Sequence, residues 1–482
     1  MALGIGYGLP FAATKSGGGQ YKSLWNTART GAKASGATVE DESADSSSCL
    51  VTRGADVYND VLPTTPSLLI VPQFYKSANL YQDIPAYSDD STTMRFTVTR
   101  ATTATRVNSS GLIESVASGV PRIDWLGQSC PALLVEASGQ NLVPNGVGFN
   151  TQTGVQTSGV TDSPAISISG TLCTKNEASG NTRYVSQVFS NSALASGTTY
   201  SVSRFFKYNG DGFNTSLEAN QTTQWGGTAW KQVVVLSAAS GVTLGTSTAC
   251  TGSVENFGNG WYRVNVRVTT GATIGGTATV NVLSELPSAL STGQGFLAAC
   301  PQLEASSIAT TYIPTTTGSA TRNADAITAS GALVSGLIGQ TEGTIYAEVD
   351  VRAFSSSLAR RIVNLRVDGN NLFSLEMTTA GTQFDFAATS GGVSVVLSAS
   401  GITTGIYKIA IGYNSTASGT ALYVNGTLRD TKTIAIPNLS AAVFGLGVRG
   451  DGSAGSQLND RIRAVALYTT RLTDSQLEQL TK

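Results

Sequence analysis

The sequence contains no histidine. That removes Ser-His-Asp and Cys-His triads, HExxH zinc sites and imidazole acid–base chemistry, so an enzyme here would work through carboxylates, lysine or tyrosine. Charge is scarce as well: Asp, Glu, Lys and Arg make up 13% of the 482 residues and nearly cancel, for a formal net charge of −1. Nothing in that balance attracts nucleic acid or an anionic membrane surface. The five cysteines, Cys49, Cys130, Cys173, Cys250 and Cys300, are odd in number and widely spaced, without a CxxC pair. This argues against zinc ribbons and dithiol redox chemistry, and predicts buried free thiols in a protein finished in a reducing cytoplasm. Residues 1–11 have no basic n-region and no long apolar core, so neither a signal peptide nor a membrane span is predicted.

Apolar residues nevertheless reach 41% and glycine numbers 53, so low charge goes here with a folded chain. Short β-branched runs between turn-forming residues predict an all-β protein of several domains. Residues 1–50 hold few large apolar side chains, Trp25 among them, and read as an arm or linker, or as an anchor that orders against another subunit. Residues 51–129 read as a small β region. Leu68-Leu69-Ile70-Val71 and Phe74-Tyr75 are apolar knots among Pro63, Pro66 and Pro72, and proline confines such segments to edges and extended stretches. Ile113 to Val120 reads equally as a strand or a short helix.

Two stretches echo each other: Cys130-Pro131-Ala132-Leu133-Leu134-Val135-Glu136-Ala137-Ser138 and Cys300-Pro301-Gln302-Leu303-Glu304-Ala305-Ser306. They bracket 130–316, a segment of sandwich size. Within it Tyr200 to Lys207 is apolar on both faces, Trp230 to Leu236 reads as a core strand, and Trp261 to Val268 alternates with period two. A strand from Leu303 to Tyr312 is expected to run into Pro314 and end there. The last segment, 325–482, opens with alternation from Gly343 to Val351. In it Asn425-Gly426 predicts a two-residue hairpin turn, and Thr473 with Gln476 predicts a capping box on a short helix that turns Leu477 and Leu480 to one side.

A resemblance lies in these residues. Phe96-Thr97, Arg100-Ala101, Ala104 to Val107, Gly111-Leu112-Ile113 and Pro121 to Asp124, then Leu133-Leu134-Val135-Glu136 and Gln140-Asn141-Leu142, resemble a recurrent module of tailed-bacteriophage structural proteins. In that module a strand–turn–strand steps into a carbohydrate-module-like sandwich. Gly260-Trp261-Tyr262, Pro301 to Glu304 and Ala309 to Pro314 resemble its closing half. Where the module usually has Arg-Thr-Asn, this chain has Gly139-Gln140-Asn141. Gly405 to Ile411, the Tyr423-to-Gly426 hairpin and the ending from Tyr468 to Asp474 resemble concanavalin-A/laminin-G-type lectin sandwiches.

Together the resemblances imply an N-terminal arm and small β region followed by two β-sandwich (jelly-roll) domains. They imply a non-enzymatic virion protein, a head- or tail-fibre or spike subunit assembled in the bacterial cytoplasm. Its partners would be other virion proteins, further copies of itself in a homotrimer, and host surface polysaccharide. A capsid decoration protein without ligand and a polysaccharide-degrading tailspike are the rival readings.

Such sandwiches often bind sugars through exposed aromatics. Trp225, in Gln224-Trp225-Gly226-Gly227, and Phe213, in Asp211-Gly212-Phe213-Asn214, are the candidate ligand-binding residues, although both positions also suit a sandwich end or a subunit face. A glycosidase needs two carboxylates roughly 5 to 9.5 Å apart. Glu348-Val349-Asp350 begins like the Glu-x-Asp-x-x-Glu strand of concanavalin-type enzymes but lacks the third acid. Alternation with Ile345, Ala347, Val349 and Val351 puts both acids on a solvated face, so no catalytic residue is predicted. Asp451, Asn459 and Asp460 lie in a Gly/Ser loop whose oxygens suit Ca²⁺, the one cofactor the sequence suggests, and which reads as well as a set of solvated turns.

Overall fold

In the computed structural model the described residues are 18–41, 49, 53, 65–76, 78–82, 95–143, 150–151, 155–160, 170–175, 183–190, 194–210, 212–219, 225, 227, 229–274, 279–286, 295–315, 318–329, 331–352, 359–417 and 419–482. Antiparallel strands dominate, and among the described residues they build two sandwiches. The chain is divided between them differently from what its composition suggests.

The larger sandwich has a ten-stranded and an eight-stranded sheet. Glu342–Val351 pairs with Gly405–Asn414 on one side and Asp460–Tyr468 on the other. The small β region is built into these same sheets. Leu68–Ile70 and Ala132–Val135 both pair with Asp460–Tyr468, and Arg95–Thr99 pairs with Ala326–Ala329. Composition marks linkers, but it does not report ladders between strands distant in sequence; boundaries at 50 and 130 therefore cut through one body. Ile113–Val116 is a strand, paired with Ala104–Val107.

The smaller sandwich, of two six-stranded sheets, is inserted between those segments. The chain enters and leaves it through a two-stranded stem, Gly139–Asn141 against Ala320–Arg322. Its core includes Tyr200, Val202, Phe206, Trp230, Val264 and Val266, and Thr199–Lys207 is buried on both faces as its pattern predicts. The closing strand runs Gly295–Glu304 and stops. The expected continuation to Tyr312 is irregular, because Thr310 and Thr311 direct their backbone N–H groups to carboxylates instead of a ladder.

The N-terminal segment is also docked on its own chain. Gly18–Ala34 is a helix, and Trp25, Ala28 and Ala32 lie along one stripe of it, fully buried. Trp25 stacks on Phe74 with ring centroids 5.4 Å apart. The same cluster takes in Tyr346 and Tyr468 of the eight-stranded sheet and Leu477 and Leu480 of the C-terminal helix Asp474–Leu480. That sheet is consequently covered on both sides. Glu348 and Asp350 are buried, at 4% and 6% exposure, which corrects the solvated face expected from alternation alone.

The cysteine expectation also changes. Cys49 and Cys130 form a disulfide that ties the N-terminal segment to the edge of the eight-stranded sheet. Cys250 and Cys300 are free; the side chain of Cys173 lies outside the described residues. Local turn chemistry follows the sequence: Asn425 and Gly426 have φ of 47° and 74° between the paired Val424 and Thr427, and the Thr473–Gln476 capping box is formed. Among the described residues no helix is long and apolar enough to cross a membrane.

Candidate functional site at the junction of the two sandwiches

The residues that resemble the phage module converge on the stem. Asn141, fully buried, is saturated. Its Nδ2 donates to the carbonyls of Pro301 and Ile313 at 3.1 and 3.0 Å, and its Oδ1 accepts from the backbone N–H groups of Val143 and Leu303 at 3.1 Å each. Gln302 closes the other side, donating to Glu304 at 2.6 Å and accepting from the Ile313 N–H at 2.7 Å.

Beside this clasp lies a buried ion network. Asp325 pairs with Arg100 at 2.9 Å and also with Arg122, and Arg122 reaches Glu136 at 2.6 Å. Arg322 completes the set on Glu136. The stem register puts Gly139 directly opposite Arg322, so a guanidinium arrives at Glu136 from across the stem. A side chain at 139 has no room: a Cβ there would lie 2.6 Å from Glu304 Oε1. Burial alone would push the Glu136 carboxyl up, but the charges of Arg322 and Arg122, with hydrogen bonds from Arg122 and Thr311, hold it well below the usual carboxylate range. Glu304 has neutral donors at hand, Thr310 and Gln302, and there burial wins and pushes the carboxyl up despite the more distant Arg322 and Arg263.

Next to the stem a cleft of about 900 Å³ opens between the two sandwiches. One wall is the outer face of the smaller sandwich, where Thr251–Gly258 and Trp261–Thr269 contribute Ser253, Glu255, Asn265 and Arg267. The other wall belongs to the larger sandwich, with Asp350, Arg352, Asp460 and Arg461. Apolar packing closes the stem end through Val107, Ile113, Leu126, Phe257, Trp261 and Tyr312. Arg352 spans the two bodies: it pairs with Asp350 at 2.8 Å and with Glu255 at 2.9 Å, and donates to the Leu126 carbonyl at 2.6 Å.

Each carboxylate on the lining is matched by arginine. Asp124 pairs with Arg461 at 2.6 Å and Asp460 with Arg360 at 2.8 Å, alongside the pairs of Glu136, Glu255 and Asp350 already described. Burial pushes the Asp460 carboxyl up to about 7 in spite of Arg360.

Of the residues singled out from sequence, Asn459 and Asp460 line the cleft, while Trp225 and Asp451 do not. Trp225 is not an exposed platform: it is 1% exposed and meets Trp230 and Tyr200 edge-on at 5.3 and 6.2 Å within the core of the smaller sandwich. An aromatic among glycines reads as exposed in sequence, whereas its burial here comes from core residues of separate strands. Phe213 begins the strand Phe213–Ala219 opposite Leu236, and its side chain lies outside the described residues. Asp451 bonds Ser453 and pairs with Arg449 at 2.6 Å. Asn459, at a φ of 55°, accepts from the Ala137 N–H at 2.7 Å, and Asp460 is held by Arg360. Among the described residues no three or more His, Cys, Asp or Glu side chains are grouped to hold a metal ion. The cleft itself was missed by sequence reasoning; its one signal was alternation at Arg263, Asn265 and Arg267, a polar face on an otherwise apolar strand.

Residues 322–478 match the family model of the concanavalin A-like lectin/glucanases superfamily, which bears out the lectin-type resemblance of the C-terminal segment. No curated protein sequence matches the chain. Similar solved structures include domain 4 of AbnA, a GH43 extracellular arabinanase from Geobacillus stearothermophilus in complex with arabinotriose, at 18% identity and a TM-score of 0.28, covering 34% of this chain and 77% of that one. The CBM40 of the Ruminococcus gnavus IT-sialidase has 18% identity and a TM-score of 0.27, covering 31% and 87%. The NanB sialidase from Streptococcus pneumoniae has 15% identity and a TM-score of 0.27, covering 31% and 26%. At such scores these structures carry no argument about function.

Proposed function

We propose that this protein is a non-enzymatic adhesin that binds surface glycans, and that it serves as a fibre or spike subunit of a tailed-phage virion. The observation that carries the adhesion reading is the lectin-type sandwich at residues 322–478, joined to a cleft whose described acids are all occupied by arginine. A surface with that charge pattern favours binding over bond cleavage. The virion reading is supported by the phage-like motif residues, which meet at one stem through Asn141, Glu136 and Arg322. The Cys49–Cys130 disulfide suits a protein that works outside a reducing compartment. Trimerisation and attachment to other virion proteins belong to the same proposal.

Incubation of the purified chain with bacterial capsular and surface polysaccharides tests it. Retention of a polysaccharide with unchanged chain length is the expected result. Shortened chains would replace the reading with a degrading tailspike. Silence towards all glycans together with binding to bare capsids would replace it with a decoration protein. Sedimentation reads the trimer, and antibody-labelled particles in the electron microscope read the location.

A further inference from the structure

The smaller-sandwich wall of the cleft has an order that its paired acids conceal. In the ladder Arg267 stands between Ser201 on one neighbouring strand and Thr251 on the other, and Asn265 stands between Ser203 and Ser253. Side chains directly opposite one another across antiparallel strands share a face. The wall is therefore a sheet face of hydroxyls and an amide, with one guanidinium in the outer row.

Two groups on this wall are unspent. Arg267 is exposed and makes no hydrogen bond or ion pair with any described residue. The Oδ1 of Asn265 is buried without a donor. Every other charge on the described lining of the two walls is answered: the cleft carboxylates by arginine, as above, and Arg263 by Ser203 at 2.9 Å and the Thr310 carbonyl at 2.6 Å. Among the described residues that line the cleft, the one charge without a partner is positive, and the one buried side-chain atom without a hydrogen bond is an acceptor. An occupant that completes this wall brings a negative charge for Arg267, an O–H for Asn265, and further hydroxyls for Ser253 and Thr251.

We infer that the cleft between the sandwiches binds an anionic sugar of a polysaccharide, with its carboxylate or sulfate on Arg267 and a ring hydroxyl donating to Asn265. This rests on the adhesion reading and names its ligand class. A neutral glycan leaves Arg267 unanswered, and a simple anion leaves Asn265 orphaned.

Calorimetric titration of the full chain with oligogalacturonate, dextran sulfate and dextran of similar length tests the inference. Oligogalacturonate or dextran sulfate is expected to bind, the stronger of the two identifying the anionic group, while dextran does not. Arg267→Gln is expected to weaken binding roughly tenfold or more, the loss of one charge-assisted contact. Asn265→Ala weakens it as well, and Lys482→Gln, at an exposed cation outside the cleft lining, leaves it unchanged. Equal affinity of wild type and Arg267→Gln for the anionic chains would overturn the assignment of the cleft while leaving adhesion standing. Preference for dextran would overturn the anionic class alone. No binding to any of the three, or to the bacterial polysaccharides above, would remove the adhesion reading and this inference with it.

Discussion

Glu136 and Glu304 are gripped by adjacent threonines. Thr311 gives Glu136 its backbone N–H at 2.8 Å and its hydroxyl at 2.7 Å; Thr310 gives Glu304 the same two donors at 2.8 and 2.6 Å. Each glutamate opens the Glu-Ala-Ser end of one of the two echoing Cys-Pro-x-Leu stretches, six residues after Cys130 and four after Cys300. One turn of irregular chain therefore holds both ends of the inserted sandwich. The grips are alike, but the surroundings are not: Glu136 has arginines in contact and Glu304 does not.

That difference predicts opposite behaviour for two similar substitutions. Glu136→Gln leaves Arg122 and Arg322 buried without their anion and is expected to cost about 3–5 kcal/mol at neutral pH. Glu304→Gln keeps an acceptor for Thr310 and costs under about 1.5 kcal/mol. The pH dependence follows with the signs reversed. The folded value of Glu136 is depressed, so its contribution is present above the ordinary value of 4.5 and lost as pH falls. That of Glu304 is raised, so its contribution is present below 4.5 and lost as pH rises. Thermal midpoints of both variants across the acid range check this, and superimposable profiles would contradict it.

Docking of the N-terminal helix depends on one large side chain. Trp25→Ala removes the stack on Phe74 and empties the centre of the cluster that covers the eight-stranded sheet. A loss of about 3–5 kcal/mol is expected. Hydrogen exchange should localise it, with protection falling in Gly18–Ala34 and in Asp474–Leu480, which shares that cluster. Unchanged protection in the C-terminal helix would mean that the two elements do not support one another.

The disulfide spans a sequence separation of 81 residues. A closed loop of that length constrains the unfolded chain by about 4.5 kcal/mol. The paired Cys49→Ser and Cys130→Ser variant should lower the unfolding midpoint accordingly. In the native wild type, peptide mapping after alkylation should find Cys49 joined to Cys130 and Cys250 modified, with buried Cys300 protected until unfolding. Alkylation of Cys49 and Cys130 without prior reduction would refute the pairing.

An outer strand of the ten-stranded sheet, Val393–Ser400, is capped by side chains of Thr427–Lys432. Lys432 donates to the Val396 carbonyl, Asp430 accepts from the Ser398 N–H at 3.1 Å, and Arg429 donates to the Ser400 carbonyl. Alternate backbone groups are thereby denied to another chain, a common defence of sheet edges. Replacing Arg429 and Lys432 by Glu should expose the edge and produce concentration-dependent association beyond the wild-type state. Sedimentation velocity reads this directly, and identical profiles would show that the caps do not protect the edge.

Local chemistry was readable one segment at a time. The strand periodicity, the Asn425-Gly426 turn and the Thr473 capping box are decided within a few residues, where backbone geometry and nearest neighbours dominate, and there sequence and structure agree. Motif resemblance went a step further and marked Glu136, Asn141, Gln302 and Glu304, without saying what they touch. Tertiary structure alone decided which strands share a sheet, that Trp25 and Trp225 are core, that Cys49 meets Cys130, and that Arg267 faces a cleft with no partner among the described residues. The reason is physical. A period-two pattern says which side chains lie together on a face, while burial of that face depends on a segment from far along the chain, and the inserted sandwich separates those segments in sequence while its stem brings them together in space.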